Sequence, residues 1–459
     1  MKTITLAGEQ RLQLGDLDRS TVLPRQIMEA AEAIVDDVRE RGDAALREYC
    51  TRFDGACPDV FRVSDEVVKQ ALEEVDDAFR EALTLAARQI REFHEREREQ
   101  SWFTTREDGT ILGVKVTPLS SVAVYVPGGR AQYPSTVLMD TIPAKVAGVE
   151  RVIMVTPPQK DGKLSPYTLA AAALAGVDEV YAVGGAQAIG AVAYGTESIP
   201  KVAKVVGPGN AYVAAAKRYV SGDIGIDMVA GPSEVCVLAD ATAEPAIVAA
   251  DLMAQAEHDP LATSYLVTTD PNLGPAVLEA AEALLAQSPR EEITRASLDE
   301  KGIIVSCDSL EAALDAVDLI APEHLELHCA HAGELVGRIH NAGAIFVGPW
   351  SSEPLGDYVA GPNHTLPTSG TALFSNPLGV YDFQKRSSVI SYTRAGLETD
   401  GPAVQTLAQA EGLWAHALSV GMRLKLAQDA ERFDDSLAAC EGAMATAWPS
   451  AAVGQDANE

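Results

Sequence analysis

Residues 120–126 read SSVAVYV, and the turn PGG (127–129) follows them directly. Beyond this turn, STVLMDTIPAKVAG (135–148) has the pattern of a helix, and RVIMVTPP (151–158) has that of a strand. The alternation continues up to residue 220 through SPYTLAAAALAG, EVYAVGG, AQAIGAVAYGT, KVAKVVGPGN and AYVAAAKRYV. Continuously apolar strands between helices are typical of parallel sheets that are covered on both faces. This stretch therefore predicts an α/β fold built from βα units.

A second alternating stretch follows between residues 233 and 348. Its predicted strands are SEVCVLAD, TSYLVTTD, GIIVSC and GAIFVG, and its predicted helices are PAIVAADLMAQAEH, GPAVLEAAEALLAQ and LEAALDAVDLIAPEH. The pattern indicates two α/β sheets, with the first inserted in the sequence of the second. The expected division is an N-terminal arm (1–21), a first α/β domain (22–124 and 233–377), an inserted α/β domain (125–232) and a C-terminal helical arm with an acidic tail (378–459).

The composition argues against several classes of partner. The 459 residues include 66 acidic and 36 basic side chains, so the formal charge is −30. Nucleic-acid binding and docking on an anionic membrane both need clustered basic residues, so we expect neither. We find no signal-peptide core and no apolar run of membrane-spanning length, and the six cysteines form no CxxC pair. These features predict a protein of the reducing cytoplasm.

Glycine-rich turns follow three of the predicted strands: PGG (127–129), VGGAQ (183–187) and VGPGNAY (206–212). Nucleotides bind at such strand ends in doubly wound sheets. None of the three is a complete G-x-G-x-x-G fingerprint. Tight turns that need a positive φ explain these glycines equally well.

Polar residues that suit a metal ion or acid–base chemistry occur in pairs along the chain. The pairs are Gln255 with His258, Glu323 with His324, Asp357 with His364, and Glu411 with His416. Carboxylates with imidazoles suit zinc, and a Glu beside a His suits proton transfer near neutral pH. A capping pair on a helix surface explains the first pair as well, and a helix C-terminus explains the second.

Eight motifs occur in order and together resemble the histidinol dehydrogenase family. They are VYVPGGRAQYPSTVLM, VGGAQAIGAVAYGT, VVGPGNAYVAAAK, IGIDMVAGPSE, DLMAQAEHDP, APEHLEL, GDYVAGPNHTLPT and AEGLWAH. The resemblance implies two incomplete Rossmann-like parallel-sheet domains, one inserted in the other and binding NAD, plus small N- and C-terminal arms. It also implies oxidation of L-histidinol to L-histidine through bound histidinaldehyde, with two NAD⁺ and one zinc per site. A cytoplasmic homodimer with shared active sites is expected.

The resemblance also assigns expected roles to individual residues. The implied metal ligands are Gln255, His258, Asp357 and His416, and the implied catalytic pair is Glu323 and His324. The implied substrate contacts are Ser233, His364 and Glu411, together with the ligands and His324. The implied NAD contacts are Tyr125, Gln187 and Asn210. In the family, His364, Glu411 and His416 would reach across from the partner subunit.

In the implied mechanism, His324 takes the hydroxyl proton of the alcohol. Glu323 activates the water that attacks the aldehyde. A thiol mechanism at Cys236 is the alternative, although the strand-like EVCVLAD suits a buried, inert thiol. Other readings are a relative that oxidises a sulfonated diol, a zinc hydrolase without nicotinamide, and a noncatalytic binding module. Glu411 favours histidinol over a sulfonate because a carboxylate can bind an amine.

The acidic tail beyond residue 425 departs from the family pattern, and a solvated extension is the expectation.

Overall fold

The computed structural model describes residues 1–17, 23–55, 57–128 and 132–428. The strands are β1 (Lys2–Leu6), β2 (Arg62–Val63), β3 (Trp102–Thr105), β4 (Ile111–Pro118), β5 (Ser121–Tyr125), β6 (Arg151–Thr156), β7 (Glu179–Ala182), β8 (Lys204–Val206), β9 (Gly225–Ile226), β10 (Glu234–Ala239), β11 (Thr263–Thr268), β12 (Ile303–Cys307), β13 (His324–His328), β14 (Ala344–Val347) and β15 (Gln384–Ser391). The helices are α1 (Arg25–Arg41), α2 (Asp43–Tyr49), α3 (Asp65–Glu74), α4 (Asp77–His94), α5 (Pro134–Ala147), α6 (Pro166–Ala175), α7 (Gly185–Tyr194), α8 (Ala211–Val220), α9 (Pro245–Ala256), α10 (Leu273–Leu285), α11 (Glu291–Lys301), α12 (Leu310–Ile320), α13 (Ala332–Leu335), α14 (Glu353–Tyr358), α15 (Arg394–Ala410) and α16 (Trp414–Gln428).

The chain divides into two compact units. The larger unit comprises Met1–Arg98 and Pro118–Phe383, and the smaller comprises Glu99–Thr117 and Gln384–Glu459. The larger unit contains two six-stranded sheets, and the smaller contains a three-stranded sheet in the order β15-β4-β3. In the smaller unit, α15 and α16 also pack against each other.

The first large sheet has the strand order β2-β7-β6-β5-β8-β9. All its pairs are parallel except the antiparallel pair of β2 with β7. Strands β5 to β9 thus follow the 3-2-1-4-5 order of a Rossmann half, with its switch point between β5 and β8. Alternate residues pack on opposite faces, for example Val124 against α5 and Ala123 against α7. Coverage of both faces explains why the strand sequences are continuously apolar.

The second large sheet repeats this topology, in the order β1-β12-β11-β10-β13-β14. Every pair in it is parallel, including the edge pair of β1 with β12. Strands β10 to β14 again follow the order 3-2-1-4-5, with the switch point between β10 and β13. Helices α9 and α10 cover one face, and α12 covers the other. The predicted α/β architecture with parallel, incomplete Rossmann-like sheets is confirmed.

The structure divides the chain differently from the expected domains in two respects. β1 lies inside the region expected to be an N-terminal arm, yet it forms the edge of the second sheet. The helices between residues 25 and 98 were expected to cover that same sheet. Instead, α1 packs on α7 and α8, and α3 packs on α6, all of which cover the first sheet. Amphipathic helices bury an apolar face, but their sequences do not specify which sheet receives it.

The strand β13 was not predicted, and the segment up to His324 was expected to be helix. The helix α12 ends at Ile320 because Ala321 has a positive φ of 43° and Pro322 has no N–H to continue the ladder. Residues His324–His328 then alternate along a strand whose five residues are all buried. Its inward positions carry His and Glu rather than apolar residues, so its pattern does not resemble that of a buried strand.

No helix within the described ranges is long and apolar enough to cross a membrane. The acidic tail that the sequence analysis singled out lies, from residue 429 onwards, outside the described residues.

Candidate active site

The predicted catalytic pair lies at the amino-terminal edge of the second sheet, where β10 and β13 begin. The carboxylate of Glu323 accepts the backbone N–H of Glu234 at 2.9 Å. Nδ1 of His324 lies 3.2 Å from the carbonyl oxygen of Glu234, to which it donates its proton. One residue of β10 thus fixes both of the predicted catalytic side chains. Because Nδ1 is the donor, Nε2 is the ring atom that can accept a proton.

Burial and mutual charge set the protonation of this pair, since both side chains are buried. Burial raises the pKa of Glu323 to about 7, although the neighbouring His324 acts in the opposite direction. Burial disfavours the charged form of His324, but the carboxylates of Glu323 and Asp357 outweigh it and raise the pKa to about 10. Such displaced values are typical of groups that transfer protons in an active site.

Three side chains form a cluster of possible metal ligands, and Gln255, the other predicted ligand of the larger unit, lies three residues before one of them. Gln255 lies in the last turn of α9, and His258 follows two residues after its end. Glu353 begins α14, and Asp357 lies one turn later on the same face. Ligand atoms of His258, Glu353 and Asp357 lie within 4.8 Å of one another. Three of the four predicted ligands are therefore in the larger unit, and Glu353 is an additional candidate that the sequence analysis missed.

Buried polar atoms without hydrogen-bond partners fit a metal ion at this place. Oε1 of Gln255, Oε2 of Glu353 and Nε2 of His324 are all buried, and none makes a hydrogen bond. Uncompensated polar atoms are rare in protein interiors and call for a bound ion or water. An amide oxygen, two carboxylates and an imidazole are suitable donors for zinc. The residues present thus fit the metal that the family resemblance implies.

His364 lies in the same chain's site, in a cavity of about 680 Å³ that His324 and Asp357 also line. Its Nδ1 is 3.0 Å from the carbonyl oxygen of Asp357, and its Nε2 is 3.3 Å from the hydroxyl of Thr136. The expectation that His364 reaches across from a partner is therefore corrected. These two contacts hold the ring beside the carboxylate of its own chain. Burial lowers the pKa of His364, which keeps the ring neutral at pH 7.

The remaining substrate and metal residues fall in two places. Ser233 is half-buried and directly precedes Glu234, the residue that fixes the catalytic pair. Glu411 directly follows α15, and His416 lies in the first turn of α16, so both belong to the smaller unit. Both side chains are exposed.

The three predicted NAD contacts line one cavity of about 1160 Å³ at the carboxyl edge of the first sheet. The hydroxyl of Tyr125 accepts the backbone N–H of Gly185 at 3.0 Å. Asn210 is the N-cap of α8 and accepts two backbone N–H groups of its first turn. Gln187 is buried in the first turn of α7, and its Nε2 has no hydrogen-bond partner. The cavity also contains Asp54, an acidic residue that sequence reasoning missed because it is distant from every glycine turn.

A buried network connects the turn of Gly207 to the segment that follows His364. The N–H of Gly207 donates to Asp227 at 2.8 Å, and its carbonyl accepts from Lys217 at 2.8 Å. Lys217 and Asp227 form an ion pair that is almost fully buried. Asp140 accepts the hydroxyl of Thr365 at 2.8 Å, and burial, aided by the charge of Asp227, raises the pKa of Asp140 to about 8. The glycine turn at Gly207 and the loop that carries His364 thus contact one polar core.

Cys236 does not face the catalytic pair. It is fully buried in the apolar layer that includes Leu325 and α12. Successive strand residues point to opposite faces, so His324 lies on the α9 face and Cys236 on the α12 face. This geometry removes the thiol mechanism from consideration.

Comparisons with known proteins agree with the resemblance. A family model described as histidinol dehydrogenase matches residues 17–424. A histidinol dehydrogenase of Bacillus licheniformis is 49% identical over 424 residues, which cover 92% of this chain and 99% of the relative. Another, from Aromatoleum aromaticum, is 54% identical over 400 residues, or 86% of this chain and 91% of the relative.

A solved structure has the same architecture. The crystal structure of histidinol dehydrogenase from Elizabethkingia anophelis matches with a TM-score of 0.87 and 36% sequence identity. The match covers 93% of this chain and 98% of that one. With the family model spanning both sheets and the catalytic pair, the chain belongs to the histidinol dehydrogenase family and is a dehydrogenase.

Proposed function

We propose that this enzyme oxidises L-histidinol to L-histidine through bound histidinaldehyde, with two NAD⁺ and one zinc at the active site, as the last step of histidine biosynthesis. The observation that carries the proposal is the arrangement of His324. Its Nδ1 is fixed by the carbonyl of Glu234, and its Nε2 faces the cluster of possible metal ligands 3.7 Å from Asp357. A base of fixed orientation beside a metal site suits the removal of a hydroxyl proton.

The metal would be held by Gln255, His258 and Asp357, with His416 as the fourth ligand and Glu353 close enough to contribute. Its chemistry would be to bind nitrogen atoms of the substrate and hold the reacting carbon in position. Orientation of this kind also retains the aldehyde between the two oxidations.

His324 takes the hydroxyl proton of the alcohol at Nε2, as the hydride leaves the same carbon. It must be neutral to do so, and its raised pKa depends on the neighbouring carboxylates. If Asp357 binds the metal, the positive charge of the metal would offset the negative charge of this carboxylate. The pKa of His324 would then fall towards neutrality. General-base assistance of this kind typically contributes about 10²–10⁴-fold to the rate.

Glu323 acts at the second stage, where water adds to the aldehyde. Its pKa of about 7 allows the carboxylate to take a proton from that water near neutral pH. The resulting hydrate has one hydrogen left on carbon. His324 removes a hydroxyl proton while this second hydride leaves, and the product is the carboxylate. The sum is two hydrides and three protons lost for one water gained, which balances conversion of alcohol to carboxylate.

NAD⁺ would bind in the cavity of Tyr125, Gln187 and Asn210 and accept one hydride at each stage. Residues 125–232 would then be the inserted cofactor domain. The free amide of Gln187 is a donor for the cofactor, and the carboxylate of Asp54 is an acceptor for a ribose hydroxyl.

A homodimer with shared sites and a cytoplasmic location complete the proposal. Glu411 and His416 would then act in the partner's site, as the family resemblance implies. Large apolar side chains that are exposed in the smaller unit support an interface there. Trp414 is 73% exposed, Leu407 65% and Met422 57%.

The proposal is tested by following NADH formation from L-histidinol and from a panel of other alcohols that includes a sulfonated diol. Activity confined to L-histidinol, lost with a chelator and restored by zinc, is the expected result. Preference for the sulfonated diol would favour a relative with another substrate. Hydrolysis without NADH formation would favour a zinc hydrolase.

A further inference from the structure

The loop that carries His364 is fixed to the helix α5. We call its residues 363–365 the histidine loop. Nδ2 of Asn363 donates to the backbone carbonyl oxygen of Met139 at 2.6 Å. This carbonyl has no helical partner, because the residue four positions later is Pro143, which has no N–H. A proline inside α5 thus creates the acceptor that holds one end of the histidine loop.

The other end of the histidine loop bonds Asp140, the next residue of α5. The hydroxyl of Thr365 donates to Oδ1 of Asp140 at 2.8 Å, and both side chains are buried. Burial raises the pKa of Asp140 to about 8, so the carboxyl is mostly protonated at pH 7 and needs no counter-ion. Between the two ends, Nε2 of His364 lies 3.3 Å from the hydroxyl of Thr136, one turn earlier on the same helix. Three consecutive loop residues therefore contact one face of α5.

Asp140 also packs against the glycine turn at Gly207. This glycine has a φ of 109°, and a Cβ on it would lie 2.8 Å from Oδ2 of Asp140. Lys217 and Asp227 fix the same turn, since they bond its carbonyl oxygen and its N–H. The turn is thus held in a conformation that glycine tolerates best, directly against the carboxyl group of Asp140.

The two contacts of Asp140 connect the surroundings of two cavities. His364 of the histidine loop lines the cavity of the catalytic pair. Gly207 precedes Asn210, which caps α8 and lines the cavity at the first sheet. Under the proposed function these cavities hold the alcohol and NAD⁺, so a hydride must pass directly between their occupants. Reacting atoms must approach to about 3–3.5 Å, and a misplacement of about 1 Å costs on the order of 10²-fold in rate.

We propose that Asp140 is a positioning residue that sets the separation between the substrate and the cofactor. It acts through Thr365 on one side and through Gly207 on the other, and it touches neither ligand. Since this role presupposes the proposed function, it is expressed in the rate of hydride transfer. Loss of these contacts should slow that step more than it weakens the binding of either ligand, because each cavity keeps its own lining residues.

The test is the rate of NADH formation in single turnovers of the complete enzyme with both ligands saturating. Deuterium on the reacting carbon shows that the step measured is hydride transfer. Asp140→Leu removes both oxygens while keeping a similar branched shape, and it should slow this step by about 10–100-fold. The dissociation constants of the alcohol and of NAD⁺ should stay within a few-fold of wild type. Asp140→Asn keeps an oxygen for Thr365 and should transfer hydride nearly as fast as wild type.

Thr365→Val removes the same hydrogen bond from the other side and should show the same separation of rate from binding. Combining it with Asp140→Leu should add little, because both changes break one contact. The matched control is Thr141→Val. Thr141 is the next residue of α5 and is equally buried, and its hydroxyl has no hydrogen-bond partner within the described part of the chain. This control should transfer hydride at the wild-type rate.

Wild-type hydride transfer in folded Thr365→Val would overturn the proposal, and this variant decides the question even if Asp140→Leu does not fold. A loss confined to the dissociation constants would overturn it as well. The variants are compared on whichever alcohol the wild type oxidises. Failure of L-histidinol as a substrate would therefore overturn the proposed function and not the role of Asp140.

Discussion

Nδ1 of His324 donates to the carbonyl oxygen of Glu234 at 3.2 Å, and Glu323 accepts the N–H of the same residue at 2.9 Å. The base and the adjacent carboxylate are thus oriented by one peptide segment of β10. The two side chains nevertheless have different proposed roles. Nε2 of His324 faces Asp357, whereas Glu323 is bonded to the backbone, so the two substitutions should not have the same effect on the two half-reactions.

His324→Ala should reduce both half-reactions by about 10²–10⁴-fold, because the same base acts at both stages. Glu323→Gln should reduce mainly the oxidation of the aldehyde, and the alcohol step should stay within a few-fold of wild type. The measurement is NADH formation in single turnovers, started either from L-histidinol or from histidinaldehyde. Equal losses in the two half-reactions of Glu323→Gln would refute this division of roles.

Glu353→Gln should weaken zinc binding at the cluster of His258 and Asp357 by about 10–100-fold, as expected for a residue that contacts or orients ligands. His258→Asn should abolish that binding. Competition with a chromophoric chelator measures both affinities. Glu257→Gln is the matched control, since Glu257 is exposed next to His258. Unchanged affinity in Glu353→Gln would exclude this residue from the site.

Asp140 predicts a pH dependence of stability. Burial raises its pKa in the folded state from 3.8 to about 8, so the folded protein retains a proton that the unfolded chain loses. The stability that this proton contributes is complete below the pKa of Asp140 in the unfolded chain. It is lost as the pH rises through the pKa of Asp140 in the folded protein. The free energy of unfolding should fall by up to about 1.4 kcal/mol per pH unit between roughly pH 4 and 8.

Asp140→Asn should flatten this slope, because the amide keeps an oxygen for the hydroxyl of Thr365 and does not titrate. Chemical denaturation at several pH values measures it, with the exposed Glu150→Gln as control. The same pH slope in Asp140→Asn and wild type would show that Asp140 does not contribute to the pH dependence of the free energy of unfolding.

Mixing subunits tests the shared site. His324→Ala and His416→Ala chains should each be inactive alone, yet a mixed dimer should recover part of the activity, because one of its two sites has both residues intact. Unfolding and refolding the mixture together allows exchange, which native mass spectrometry can verify. Activity that stays absent in verified mixed dimers would place both residues in the site of one chain.

Much of the fold could be predicted because strands such as Arg151–Thr156 contain a continuous apolar run, here residues 152–155, and are followed by glycine or proline. The sequence also indicated Glu323 and His324 as the candidate catalytic pair, and candidate ligands at the end of α9 and in α14, which the structure places near one another. It did not reveal β13, because His324, Glu326 and His328 occupy positions that a buried strand normally fills with apolar residues. Glu234 and Glu353 were missed for a related reason: Glu234 contacts Glu323, and Glu353 lies near His258, only in the folded structure, across long stretches of sequence.

The central claim is that one site performs two successive oxidations on a retained aldehyde. It is tested most directly by the amounts of NADH and L-histidine formed from limiting L-histidinol with excess NAD⁺. The account predicts two NADH for each histidine, with no histidinaldehyde trapped by an added amine reagent. One NADH per histidinol, with the aldehyde recovered in solution, would contradict it.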